Sequence, residues 1–166
     1  MRIKKKTLHI EQYNIENQKE FFNTMRENSY FTDLEGYTFE AFPTSTVFLM
    51  HGDLWFVKRK SIIFSFCVVI DFSNLPILLR QMYSEAGNID YKDIAKYNDI
   101  FIQELGVSPR FRRAGLGSKM FEFVKSKYKN RAILLKADDT AVGFWEKMNF
   151  SMIDGTQLNN MILENS

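Results

Sequence analysis

A segment rich in arginine and glycine, residues 107–119, has the residue types that bind a polyphosphate. It follows an apolar run of strand length, residues 100–107, and Gly115 begins a helical pattern of apolar residues. The first amides of a helix lack main-chain partners and together carry roughly half a positive charge, so they bind anions. Glycines keep side chains away from such a ligand, and the nearby Arg110 and Lys119 add charge. The segment predicts a diphosphate site for a nucleotide-like ligand.

Two well-known glycine loops do not match this segment. The P-loop requires Gly-Lys-Ser/Thr after four intervening residues, and the dinucleotide fingerprint requires a third glycine where Met120 stands. The pattern Arg-x-x-Gly-x-Gly formed by Arg112, Gly115 and Gly117 instead resembles the acyl-CoA-binding signature of the GNAT superfamily of N-acetyltransferases. A second resemblance to that superfamily lies downstream in AVGFWEKMNF, residues 141–150.

The resemblance implies a fold of the α/β (α+β) class. We expect a GNAT-like mixed, splayed central sheet of about seven strands with helices on both faces. Residues 1–166 would form a single domain, and residues 72–98 a helical insertion before the fourth strand. The sheet would part between its fourth and fifth strands, and the pantetheine arm of the co-substrate would enter that gap.

The same resemblance implies an N-acetyltransferase that uses acetyl-CoA; no metal is expected, because His51 has no histidine or cysteine near it in the sequence. The residues that it implies for cofactor binding are Leu105, Val107, Arg112, Arg113, Ala114, Gly115, Leu116, Gly117, Ser118, Asp138 and Trp145. The backbone of residues 105–107 would bond the pantetheine arm, and an amide near Val107 would polarise the acetyl carbonyl.

Glu104 is the candidate general base, because related enzymes place a carboxylate at or next to this point of the fourth strand. Gln103 occupies the neighbouring position, and strand alternation lets only one of the two face the acceptor. Alternatively, Glu104 has a structural role at the end of the strand and pairs with Arg110 or Arg113.

Two positions depart from the pattern of the superfamily. Trp145 stands where many relatives have a tyrosine that protonates the leaving thiolate, and indole has no proton suited to that task. Asp138 stands where asparagine is common. Trp145 also lies at core spacing in its helix, so a purely structural role is the alternative. The departures permit a second hypothesis, a non-catalytic acyl-CoA-binding regulatory module.

The acceptor is predicted from residues 27–57, which contain no lysine or arginine but several acidic and aromatic residues. Carboxylates and ring faces attract an ammonium group. The predicted acceptor is therefore a primary amine, on a cationic small molecule or on a protein or peptide. The alternative is a surface loop anchored by its aromatic residues. The acidic members of the segment are Glu27, Asp33, Glu35, Glu40 and Asp53.

The remaining elements follow from hydrophobic periodicity. We predict a first strand at 7–11, then an antiparallel meander with a turn at 58–60 and a long central strand at 61–71. A helix capped by Ser73 or Asn74 would follow, and after the basic helix a strand at 131–136. Asp138 or Asp139 would cap a last helix that ends at Asn149, and a hairpin would close the domain.

Composition sets the remaining bounds. The formal net charge of +2 gives no support for a nucleic-acid or membrane partner, and no apolar run has transmembrane length. A nucleic-acid site on the basic residues 110–131 would lack stacking aromatics on the same face. The single cysteine, Cys67, lies in an apolar run and is predicted to be buried. We expect a cytoplasmic monomer or homodimer without a metal site.

Overall fold

The computed structural model describes residues 9–12, 52–59, 62–76, 100–153 and 160–164. Two α-helices and two 3-10 helices accompany the strands in these residues. The helices are α1 Leu116–Lys127 and α2 Val142–Lys147, and the 3-10 helices are Phe72–Asn74 and Pro109–Phe111. The strands are β1 Glu11–Gln12, β2 Gly52–Arg59, β3 Ile62–Asp71, β4 Ile100–Val107, β5 Ile133–Lys136, β6 Ser151–Met152 and β7 Asn160–Leu163.

The described strands form one sheet in the order β1-β2-β3-β4-β5-β7-β6. All neighbours are antiparallel except β4 and β5, which are parallel because α1 crosses over between them. The predicted mixed sheet is confirmed. The segment predicted as an insertion, 72–98, is described only over residues 72–76, where the chain forms a 3-10 helix and not an α-helix.

The main core lies between the sheet and the two helices. Helix α1 buries Leu116, Met120, Phe121 and Val124, a spacing that places all four on one side of the helix. They pack on the inward residues of the central strands, among them Cys67 and Val69. A second, smaller cluster on the opposite face includes Ile70 and Phe101. The central strands are buried on both faces, which explains their near-continuous apolar sequence.

Two predicted features of local structure are wrong. The turn predicted at 58–60 begins too early, because Lys58 and Arg59 are the last residues of β2 and pair with β3 across a bulge after Val57. Lys58 also forms an ion pair with Glu11 of β1 at 3.5 Å, which explains how a strand accommodates this charge. The predicted cap at Ser73 or Asn74 is displaced, since Asp71 caps the 3-10 helix by accepting from the Ser73 amide at 2.9 Å.

The start of α2 also differs from its prediction. Neither Asp138 nor Asp139 is the N-cap residue of this helix; that residue is Ala141, which makes no side-chain cap bond. The main-chain carbonyl of Asp138 instead accepts from the amides of Ala141 and Val142, at 2.8 and 3.2 Å. The predicted left-handed residue after the helix is confirmed, because Asn149 has a φ of 69°.

Strands β4 and β5 diverge. Within the described residues their ladder joins Ile100, Phe101 and Ile102 to Ile133, Leu134 and Leu135, whereas β4 continues to Val107. The divergence begins at a β-bulge, because Ile102 lies opposite Val69 of β3 and Glu104 lies opposite Val68, which leaves Gln103 as the extra residue. The predicted gap between the fourth and fifth strands is therefore present, and it opens toward the end of β4.

A bidentate ion pair holds the closed end of this gap. Arg131, two residues before β5, donates from Nη1 and Nη2 to the two carboxylate oxygens of Asp71 at 2.8 and 2.6 Å. Asp71 ends β3 opposite Ile100, so the pair connects β3 to the start of β5 across β4. The hydrogen bond from Arg131 is the main reason why the pKa of Asp71 falls from its usual 3.8 to about 2.

We expect Asp71→Asn to lower the free energy of unfolding by about 1 kcal/mol at pH 7, a size typical of a partly exposed ion pair. The ionised carboxylate is the stabilised form, so the advantage of the wild type is complete above the usual pKa of 3.8. It should disappear as the pH falls through about 2, the pKa in the folded protein. Urea unfolding of both proteins between pH 7 and pH 2 measures this difference. A difference that does not depend on pH would contradict the assigned cause.

Candidate functional site

The turn between β4 and α1 has the backbone of an anion-binding nest. Arg113 and Gly115 have left-handed φ angles of 62° and 77°, and Ala114 between them does not. Residues of alternating hand direct successive N–H groups into one concavity. In the described part of the chain, the first amide of α1 with a main-chain acceptor is that of Lys119, which donates to the Gly115 carbonyl at 3.1 Å. Among the described residues, no main-chain acceptor is found for the amides of residues 116–118, whereas the Ala114 amide donates to the Phe111 carbonyl at 3.4 Å.

Two glycines shape this nest in different ways. A Cβ placed on Gly115 would meet no atom within 4 Å, so the space above this residue is open. A Cβ on Gly117 would lie 3.4 Å from Cζ of Phe144 and 3.5 Å from Cγ2 of Val107. These are ordinary contact distances, so the first turn of α1 lies close to both the end of β4 and the side of α2. The nest and the mouth of the gap are adjacent because of this contact.

Positive charge surrounds the same point. The side chains of Arg110, Arg112, Arg113 and Lys119 are all exposed. Nε of Arg112 donates to the Val107 carbonyl at 3.4 Å, a long hydrogen bond that keeps this guanidinium beside the last residue of β4. The structure brings together Val107 and residues 112–118, all predicted from the sequence as one site. Their contact with a cofactor remains a prediction.

The bulge at Gln103 sets which residues of β4 share a face. Leu105 lies opposite Cys67 and packs on the main core, on the α1 side of the sheet, whereas Glu104 lies opposite Val68. Cross-strand partners share a face, so Glu104 points to the side away from α1. Strict alternation does not hold at Gln103 and Glu104, because the extra residue of a bulge interrupts it. Alternation therefore cannot decide which of the two residues faces the acceptor, and that choice stays a prediction.

Glu104 is half-buried, and its negative charge interacts with Cys67 in the core. Burial raises the pKa of the Cys67 thiol far above its usual value, and the negative charge of Glu104 raises that pKa further. Cys67 is fully buried and free, as predicted, so it remains a neutral thiol. Glu104 is accordingly the charged group that β4 carries beside the gap.

Trp145 and Asp138 do not lie in the nest. Trp145 is 6% exposed, and its ring packs edge-on against Phe121, Phe144 and Phe150 with centroids 5.7, 4.9 and 5.2 Å away. These contacts favour the structural alternative for the tryptophan. Asp138 is exposed and supports the turn before α2 through its carbonyl. For both residues a contact with the cofactor stays a prediction.

Two residues at this site were not singled out from the sequence. The Phe144 ring lies where it would contact a Cβ on Gly117, and the Phe66 ring covers Gly106. Phe144 belongs to the same motif as Trp145, but helical spacing gives no sign that it faces the glycine turn. The partner of Gly106 depends on the pairing of β3 with β4, which is a tertiary feature.

The described residues contain no group of three or more His, Cys, Asp or Glu side chains arranged to hold a metal ion. None of the helices they form has the length and apolar character needed to cross a membrane.

A family model for the acetyltransferase (GNAT) domain matches residues 86–164, the part of the chain that carries the splayed strands and the nest. Residues 86–164 thus match the GNAT acetyltransferase domain family. The predicted family is thereby confirmed, and the matched residues include both motifs on which the prediction rested. No curated protein matches the sequence at a significant level.

Solved GNAT structures resemble the protein over nearly its whole length. The N-acetyltransferase YlbP of Bacillus subtilis, in complex with coenzyme A, is 14% identical with a TM-score of 0.60, covering 95% of this chain and 97% of that one. A GNAT family acetyltransferase of Brucella melitensis, in complex with acetyl-CoA, is 9% identical with a TM-score of 0.58, covering 96% and 89%. The ribosomal-protein alanine N-acetyltransferase of Escherichia coli is 10% identical with a TM-score of 0.55, covering 94% and 91%. At these identities the likeness establishes the GNAT fold.

Proposed function

We propose that this acetyltransferase transfers the acetyl group of acetyl-CoA to a primary amine. The observation that carries the proposal is the position of the nest, which lies where β4 ends and the gap opens. A diphosphate in the nest would leave the rest of an acyl-CoA molecule beside the one opening between neighbouring strands of the described sheet. The structures of the B. subtilis and B. melitensis proteins contain coenzyme A and acetyl-CoA, respectively.

The nest and the gap have complementary roles in this proposal. The amides of residues 115–118 and the guanidinium groups of Arg112 and Arg113 would bind the two phosphates. The pantetheine arm contains amide groups, and it would lie along residues 105–107 as an additional strand. Ladder pairing of β4 with β5 ends at Ile102, so the main chain of residues 105–107 lies at the gap and does not pair with β5.

The chemistry requires a neutral amine next to the thioester. The amine nitrogen would form a bond to the acetyl carbon while the carbon–sulfur bond breaks and coenzyme A leaves as a thiolate. Glu104, on the face away from α1, would accept the proton that the amine loses. A thiol has a pKa of roughly 8.5, so a thiolate leaves readily and needs no tyrosine at the position of Trp145. Positioning and exclusion of water would supply most of the remaining rate.

The acceptor is proposed to be a cationic small molecule or an amine of a protein or peptide. Asp53 is the one acidic residue of the predicted acceptor segment that the structure describes, and it does not support a role in binding the acceptor. Its carboxylate accepts from Nε2 of Gln12 at 2.6 Å and from the hydroxyl of Tyr128. It lies opposite Val69, toward the closed end of the gap. The other acidic residues of the segment lie outside the described residues, so the acceptor proposal rests on them.

Release of coenzyme A thiol from acetyl-CoA tests the proposal directly. The purified protein would be assayed with polyamines, aminoglycosides, amino acids and lysine peptides, alongside calorimetric titration with acetyl-CoA. Turnover with one class of amine would establish the reaction and its acceptor together. Tight binding without turnover across all classes would favour the alternative, an acyl-CoA-binding regulatory module that lacks a dedicated acid. Absence of binding would refute the assignment of the nest.

Glu104→Gln is expected to lower kcat about 100-fold at pH 7, a typical contribution of a general base. The difference in kcat between the two proteins should become smaller at high pH, where the amine loses its proton to solvent. Gln103→Glu paired with Glu104→Gln is the matched control, since it moves the carboxylate by one residue and keeps the net charge. The pH profile of kcat for the three proteins is the measurement. Identical pH profiles for the wild type and Glu104→Gln would show that Glu104 is not the general base.

A further inference from the structure

We propose that Ile102 and Leu135 form the floor of the pocket for the acyl group and thereby restrict the thioester to acetyl. These two residues are the last ladder pair before β4 and β5 diverge. The inference rests on the proposed function, because it assumes that an acyl-CoA occupies the gap. It adds the acyl specificity of the site and the residues that determine it.

The length of the gap places the thioester close to this pair. The diphosphate nest begins just beyond Val107, and a pantetheine arm is comparable in length to about four extended residues, roughly 13 Å. Four residues back along β4 from Val107 is Gln103, the residue at the bulge. The sulfur would therefore lie beside Gln103 and Glu104, with Ile102 immediately beneath the acyl group.

Burial changes at the same position. Gln103, Glu104 and Leu105 are half-buried, as expected for residues that line an opening. Ile102 and Leu135 are 3% and 1% exposed. The end of the ladder, the bulge and the change from buried to half-buried side chains coincide within one residue, and we place the floor at this point.

The side of the gap toward α1 has no space for a longer acyl chain. Ile102 and Leu135 belong to the main core, together with Met120 and Phe121 of α1. Interiors of this kind are packed as densely as organic crystals, so an added methylene requires that a neighbour moves. Removing a methylene from the floor would create a small apolar cavity directly below the acyl group, and such cavities accept apolar ligand atoms.

The ladder itself supplies a matched control. Ile100 and Ile133 form the pair two residues deeper, on the same face and in the same core cluster. Ile102→Val and Ile100→Val remove the same methylene from the same strand, and both keep a β-branched side chain. Leu135→Val and Ile133→Val form the second set on β5. The mild truncations keep the fold testable, and thermal unfolding of each variant verifies it.

Calorimetric titrations with coenzyme A, acetyl-CoA and propionyl-CoA need no knowledge of the acceptor. The wild type should bind acetyl-CoA more tightly than propionyl-CoA by about tenfold, the lower end for discrimination of one methylene. Ile102→Val and Leu135→Val should each reduce that ratio severalfold, and the deeper pair should leave it within about twofold. An equal change in both pairs, no change in either, or equal wild-type affinity for the two thioesters would overturn the inference. Failure to bind coenzyme A itself would instead refute the proposed function.

Discussion

Gly115→Ala is expected to weaken acetyl-CoA binding at least tenfold and to lower the free energy of unfolding by about 1–2 kcal/mol. Gly115 caps α1 with a φ of 77°, a conformation that costs an L-residue about this much. The added methyl group would meet no protein atom, so the loss of affinity would come from the distorted nest and from the methyl group in the ligand's space. Calorimetry with acetyl-CoA and urea unfolding measure the two effects.

Gly143→Ala is the matched control for this prediction. A Cβ on Gly143 also meets no atom within 4 Å, but the residue lies in α2 and its φ is not left-handed. Alanine favours a helix over glycine, so the stability of this variant should be unchanged or slightly higher, and its affinity for acetyl-CoA unchanged. Equal loss of affinity in both variants would show that the effect at Gly115 is not specific to the nest.

Gly106→Ala should destabilise the protein by about 1–3 kcal/mol through overpacking. A Cβ at this position would lie 2.3 Å from Cε1 and 2.7 Å from Cζ of Phe66, distances that no real contact shows. Phe66 is 1% exposed and lies opposite Gly106 in the ladder, so the ring has little room to move. For a domain of this size the melting temperature should fall by roughly 2–4 °C per kcal/mol, which calorimetric scans detect.

A second substitution distinguishes the ring contact from other causes. Phe66→Leu removes the clashing edge of the ring, so adding it to Gly106→Ala should cost less than the sum of the two single changes. Gly117→Ala is the steric comparison, because its nearest contact, at 3.4 Å, is within the ordinary range. Strict additivity of the double variant would mean that the Phe66 ring is not the obstacle.

The segments that were predicted well are those whose structure is local. The apolar run 100–107 coincides with β4, because a buried strand next to a proline leaves few alternatives. Asn149 adopts the left-handed conformation expected at the end of a helix, since its short polar side chain tolerates it. The glycine turn was recognised for a similar reason, because helix starts and glycines are visible in the residue order itself.

The features that escaped prediction depend on contacts between distant segments. The bulge at Gln103 arises only when β4 is paired with β3, and it decides which face Glu104 occupies. The left-handed φ of Arg113 has no signal in the sequence, because arginine rarely adopts this conformation. Capping of α2 by the carbonyl of Asp138 replaces the side-chain cap that the aspartate suggested. Each of these features is set by the fold rather than by local preference.

In the described sheet, the incomplete ladder between β4 and β5 also leaves main-chain groups of β4 without a neighbouring strand on that side. Within the described residues, the stretch 105–107 of β4 has no ladder partner on β5, so a strand edge lies in the middle of the sheet. Such an edge is a template for another chain. The bulge at Gln103 disrupts the regular register of this edge. An acyl-CoA bound along residues 105–107 would cover the main-chain groups that stay exposed there. Under the proposed function, the co-substrate would therefore occupy the one stretch of β4 that could otherwise pair with a strand of another molecule.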